Sequence, residues 1–92
     1  MSSVAVAAAE PLHQEAVRFS VQAQAEPGVL PRLVEVFAKR GLVPRRWLST
    51  TTGPGNMVLT IDLEITGLEA DSVDYVAACL RQIVGVETVL TA

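Results

Sequence analysis

The sequence predicts an α+β domain of β-α-β-β-α-β order: a four-stranded antiparallel sheet with two helices on one face. Three observations carry that expectation. Residues 16–25 and 57–65 alternate apolar and polar side chains, the period of a half-buried strand. Residues 30–38 and 73–84 repeat apolar residues at helical spacing instead. Glycine and proline lie between these stretches, where the period changes.

Residues 1–15 have no period that would bury a face and are expected to form a flexible N-terminal tail, with the domain occupying 16–92. His13, the chain's one histidine, falls in that tail and is expected to be solvated rather than a ligand. In 16–25, Val17, Phe19, Val21 and Ala23 share one face, and Arg18, Ser20, Gln22 and Gln24 the other. Glu26-Pro27-Gly28 breaks the strand. Leu30, Leu33, Val34, Phe37 and Ala38 then form a helical stripe. Pro31 has no amide hydrogen and must lie in the first turn, which sets the helix start near 27–28. Gly41 follows Lys39 and Arg40 as the C-terminal stop.

Residues 42–52 are expected to form a strand. Pro44 removes a ladder donor, so this strand is expected to lie at an edge or to contain a bulge. Gly53-Pro54-Gly55-Asn56 is a hairpin turn. In 57–65, Met57, Leu59, Ile61, Leu63 and Ile65 are expected to face in. Val58, Thr60, Asp62 and Glu64 are expected to face out. The second helix presents Val73, Val76, Ala77, Leu80, Ile83 and Val84, with Asp71 or Ser72 as cap and Gly85 as stop. Val86 to Leu90 forms a short last strand. Right-handed crossovers then give a ferredoxin-like fold, with the first and third strands central and the second and fourth at the edges.

Composition narrows the function. The chain has 92 residues, half of them hydrophobic, and a net charge of −3. That is one globular domain with no general attraction for phosphate backbones or anionic lipid, so neither nucleic acid nor membrane is an expected partner. Lys39, Arg40, Arg45 and Arg46 are the one basic concentration, without the interleaved aromatics of a nucleic-acid platform. The stretch 4–9 (VAVAAA) is too short to span a bilayer and lacks a basic segment before it. A single cysteine, Cys79, allows no disulfide within the chain, and a cytoplasmic location is expected.

The open sheet face excludes further classes. RNA-recognition modules need aromatics on the central strands, where this chain has Arg18, Ser20, Gln22, Thr60, Asp62 and Glu64. Metal carriage needs paired thiolates, and Cys79 lies alone on the expected buried stripe of the second helix. An acylphosphatase-like enzyme needs an arginine in the first loop, which Glu26-Pro27-Gly28 lacks. Nucleophilic catalysis needs a base beside Ser, Thr or Cys, and the carboxylates of Asp62 and Glu64 share a solvated strand face. No catalytic residue, metal ligand or cofactor is expected.

The informative segment is Glu26-Pro27-Gly28-Val29-Leu30, which joins a strand end to a helix start. The free amides of Gly28, Val29 and Leu30, at the positive end of the helix dipole, suit a small carboxylate. The same residues also suit a plain strand-to-helix turn. Trp47 has two readings as well: it can fill the core, or anchor a partner together with Arg45 and Arg46.

The run EPGVLPRLVEVFAKRGL resembles the first loop and helix of ACT domains. It is especially similar to the small regulatory subunits of acetolactate synthase, in which Pro-Gly-Val-Leu opens a helix ending in Arg-Gly. The resemblance implies a non-catalytic module that binds a small amino acid at a dimer interface and controls a partner enzyme. That partner would be a large catalytic subunit such as that of acetolactate synthase, in branched-chain amino acid biosynthesis. It also implies a homodimer formed by side-by-side sheet pairing. On this basis Ala25, Glu26, Pro27, Gly28, Val29, Leu30 and Val43 are the expected ligand-binding residues, and Pro44, Arg45, Arg46 and Trp47 the expected interface. Two positions depart from the family pattern. Ala25 stands where many ligand-binding members carry Asn or Asp, and Val43 where valine-responsive subunits carry Asn. Their loss of polar groups supports an alternative, a ligand-free subunit that only stabilises or activates its partner. A small enzyme on the same fold is the third reading.

Overall fold

A computed structural model describes residues 15–92 of the chain; the expected tail up to residue 14, including His13 and the 4–9 stretch, lies outside the described residues. The elements are β1 (Ala16–Gln24), α1 (Val29–Ala38), β2 (Arg46–Thr52), β3 (Val58–Thr66), α2 (Ala70–Arg81) and β4 (Val86–Thr91). The strands form one antiparallel sheet in the order β2-β3-β1-β4, with both helices on one face, as expected for a ferredoxin-like domain.

The alternation in β1 and β3 meets in register. Phe19 pairs with Leu63, Val21 with Ile61 and Ala23 with Leu59, and all six are buried under the helices. Helix α1 adds Val29, Leu33 and Phe37, and α2 adds Val76, Ala77 and Leu80. Phe37 lies edge-on to both Phe19, with ring centroids 5.9 Å apart, and Trp47, 6.2 Å apart. The core is therefore aliphatic, with one aromatic chain running from β1 through α1 to β2.

Several boundaries and faces differ from expectation. The buried stripe of α1 is Val29, Leu33 and Phe37, with Leu30 and Val36 half-buried; Val34 and Ala38 are exposed. Leu30, Leu33 and Phe37 lie in both stripes, and the buried face is turned by about 70° toward Val29 and Val36, where Phe37 packs between Phe19 and Trp47. Residues 42–45 are not strand, and β2 begins at Arg46. Pro44 thus precedes the edge strand instead of interrupting it. Met57 ends the hairpin turn, one residue ahead of β3, and is exposed. Glu69, in extended conformation, is the N-cap of α2 in place of Asp71 or Ser72, and no side chain caps the helix. Helix α2 stops at Arg81, so Val84 is outside it and exposed. Gly85, with φ +98°, makes the turn into β4. Cys79 is half-buried rather than a core residue, and its Sγ accepts from Arg40 Nη2 at 3.3 Å.

Gly41 acts as expected. Its φ is +68°, the Leu42 amide donates to the Phe37 carbonyl at 2.9 Å, and the Gly41 amide donates to the Ala38 carbonyl at 3.0 Å. This pair of bonds is a Schellman motif, which satisfies the last carbonyls of α1.

Candidate functional site

The fold divides the expected site residues between its two ends. Ala25 to Leu30 lie where β1 runs into α1. Val43, Pro44 and Arg45 follow the other end of α1, and Arg46 and Trp47 are the first two residues of β2. A helix of 10 residues separates the groups, about 15 Å along its axis. Within one chain, Val43 therefore does not meet the Gly28 turn.

The β1–α1 turn is held by its neighbours. The Gln24 amide donates to the Gly85 carbonyl at 2.8 Å, and the Ala25 amide to the Met57 carbonyl at 3.0 Å. A Cβ on Gly85 would come within 3.0 Å of Val29 Cγ2, so the turn before β4 packs directly under the start of α1. Ala25, Glu26, Pro27 and Gly28 remain exposed, while Val29 is buried.

Of the three amides expected to be free, one is not. The Val29 amide donates to the Glu26 carbonyl at 3.1 Å. Among the described residues, those of Gly28 and Leu30 have no acceptor. Arg32, which the sequence analysis did not single out, supplies what that amide would have offered. Its guanidinium folds back over Gly28: a Cβ there would lie 3.4 Å from Nη1 and 3.7 Å from Cζ. A cation beside a helix N-terminus is at the unfavourable end of the dipole and adds to its positive potential. The signal was the one-turn spacing of Gly28 and Arg32. It went unused because a solvated surface arginine has the same spacing.

At the other end, Glu64 is the electrostatic centre. Its carboxylate accepts from Arg18 Nε at 3.1 Å and Arg45 Nε at 3.2 Å, and its side chain is 14 % exposed. Burial pushes the Glu64 carboxyl up, but the hydrogen bonds and charges of Arg18 and Arg45 outweigh this and hold it below the ordinary carboxylate range. Trp47 is half-buried, packs on Phe37, and donates from Nε1 to Ser49 Oγ at 2.7 Å.

Two open clefts lie elsewhere. One of about 770 Å³ is lined by Ala16, Val17, Leu68, Val73 and Asp74, beside the start of α2. The other, of about 450 Å³, lies on the open sheet face among Arg18, Ser20, Arg46, Asp62, Glu64 and Leu90. Neither is lined by residues 25–30 or Val43. Among the described residues no cluster of His, Cys, Asp or Glu is placed to hold a metal ion, and no helix is long and apolar enough to cross a membrane.

A family model described as an ACT-like domain matches residues 10–91. The chain belongs to that family. Solved structures agree with the assignment at the level of fold. The ACT domain from GTP pyrophosphokinase of Chlorobium tepidum superposes with a TM-score of 0.72 at 18% identity, covering 86% of this chain and 99% of that one. The regulatory subunit of aspartate kinase from Thermus thermophilus, in its ligand-free form, gives 0.66 at 13% identity, with 85% of this chain and 50% of that one covered. The C-terminal domain of the MgtC protein from Mycobacterium tuberculosis gives 0.71 at 16% identity, over 90% of both chains. No curated protein sequence matches this ACT-like chain. ACT domains are in general regulatory, ligand-binding modules rather than catalysts, and often dimerise and control partner enzymes.

Proposed function

We propose that this ACT-like domain is a regulatory module that binds the carboxylate of a small amino acid at the Pro27-Gly28 turn and transmits its occupancy to a partner enzyme. One observation carries the reading. The Arg32 guanidinium lies over Gly28, beside two amides without acceptors, at the positive end of α1. Two donors from the backbone and a fork of donors from Arg32 match the two oxygens of a carboxylate. Ala25, Glu26 and Pro27 form the outer rim. Val43 belongs to the opposite end, so it reaches the ligand only from a second copy, with Pro44, Arg45, Arg46 and Trp47 beside it at the junction. Pairing of β2 edges in a homodimer would also cover backbone groups that a lone edge strand leaves open. An acetolactate synthase large subunit is the partner suggested by the resemblance of the loop and helix.

The test is an amide NMR titration with branched-chain amino acids, glycine, serine and aromatic amino acids. Shifts at Gly28 and Leu30 that disappear in Arg32→Ala are expected. Silence at 25–31 and 43–47 for every amino acid overturns the sensor.

A second reading rests on a different observation. Ala25, Pro27, Met57 and Val84 all lie exposed at this end, an apolar rim beside the exposed Glu26. Such a rim suits protein contact, and a ligand-free subunit that stabilises its enzyme would use it. Copurification of a large enzyme in the absence of amino acids, lost on Met57→Glu, supports this alternative.

A further inference from the structure

The face of the sheet away from the helices has a pattern that individual strands do not reveal. The register places residues in rows across β2-β3-β1-β4. One row is Leu48, Asp62, Ser20 and Leu90; the next is Thr50, Thr60, Gln22 and Thr88. The row nearest the α1 C-terminal end contains Arg46, Glu64 and Arg18. Leu48 and Leu90 are 47% and 67% exposed, on opposite edge strands.

Each row is complementary to its own reverse. A two-fold axis parallel to the strands lays β2 over the partner's β4 and β3 over the partner's β1, keeping each row over itself. Leu48 then covers Leu90 of the other copy. Asp62 faces Ser20, an acceptor over a hydroxyl donor, and Thr60 faces Gln22. Glu64 faces Arg18, so the ion pair within each copy stacks on the reversed pair of the other. We propose that this open face is a docking surface for a second copy of the chain, packed sheet on sheet with antiparallel order of strands. Aligned sheets pack in this way at about 10 Å separation and about 30° between strand directions, a rotation that the central rows tolerate best. The 450 Å³ cleft on this face is lined by Leu90 and is the space that the partner's Leu48 enters.

This contact is distinct from edge pairing through β2 and independent of any amino-acid site. Sedimentation equilibrium on the full chain tests it with Leu48→Glu, Leu90→Lys and the double variant. Three strand spacings, about 14 Å, separate the two positions within one chain, so they interact only between copies. Each single variant is expected to weaken self-association about tenfold or more, and the double variant to restore it, because the introduced carboxylate then meets the introduced ammonium. Both positions are exposed, and circular dichroism with thermal melting confirms that each variant folds. A wild-type chain that stays monomeric overturns the proposal, as do single variants that associate normally or a double variant no better than the singles. If β2 edges also pair, the wild type is a tetramer and the single variants stop at a dimer. If they do not, the same pattern appears on a monomer–dimer equilibrium.

Discussion

At the scale of single residues, charge and backbone freedom decide most of what can be tested. Glu64 is held ionised by Arg18 and Arg45, with Arg46 on the facing edge strand and Asp62 next along β3. Its carboxyl in the folded state titrates below the unfolded value of about 4.3. The stability it contributes is complete above the unfolded value and is lost as pH falls through the folded one. Urea denaturation between about pH 6 and pH 3 should therefore show wild type and Glu64→Gln converging as the pH drops. Equal gaps at both ends of that range would refute the ion-pair assignment. Gly85 is constrained twice, by φ +98° and by Val29 Cγ2 at 3.0 Å from a Cβ position. Gly85→Ala should cost about 1–3 kcal/mol in the same measurement. Gly28 is different: its φ of −75° suits any residue, and an added Cβ meets only the movable Arg32 guanidinium. Gly28→Ala should leave stability within about 0.5 kcal/mol of wild type, because the added Cβ meets the guanidinium only in ordinary van der Waals contact.

At the scale of elements, the helices show what a sequence can and cannot convey. Alternation in β1 and β3 was legible because a period of two assigns each side chain to a face without knowing the partner. The α1 stripe was legible only to within one position. Val29, Leu30, Leu33, Val34, Val36 and Phe37 are apolar over nearly half the circumference, about 160°, and packing between Phe19 and Trp47 selects the face. Phe37→Ala removes that wedge and should cost about 3–5 kcal/mol, measured by denaturant unfolding, whereas Val34→Ala on the exposed flank should cost under about 1 kcal/mol. Equal losses at the two positions would mean that the stripe runs where periodicity alone put it. The start of α2 was missed for a related reason. Asp71 and Ser72 have capping side chains, but Glu69 supplies only its extended backbone, and its carbonyl takes the Val73 amide at 3.0 Å. The Pro27-Gly28 turn was visible in the sequence as a helix entrance. The Arg32 fold-back was not, because it is a rotamer choice rather than a pattern.

At the scale of the whole molecule, size and surface argue together. A domain this small buries only about 60% of the surface its unfolded chain exposes, and no disulfide adds to its stability. Among the described residues, both edge strands and one whole sheet face are open in a single copy. The separation of Val43 from Gly28 points the same way: the residues that the family resemblance puts in one site can meet only between copies. Association then contributes directly to folding, since a partner that binds only the folded state stabilises it by mass action. The melting temperature of the wild type should rise with protein concentration, by a few degrees for each ~1 kcal/mol of added association free energy in a domain of this length. Leu48→Glu should flatten that dependence, and the Leu48→Glu/Leu90→Lys pair should bring it back. A slope unchanged by Leu48→Glu would move the stabilising contact away from the open face, to the β2 edge. A melting temperature independent of concentration in the wild type would mean that the apolar core of Phe19, Leu33, Phe37, Ile61, Leu63 and Leu80 suffices without a partner.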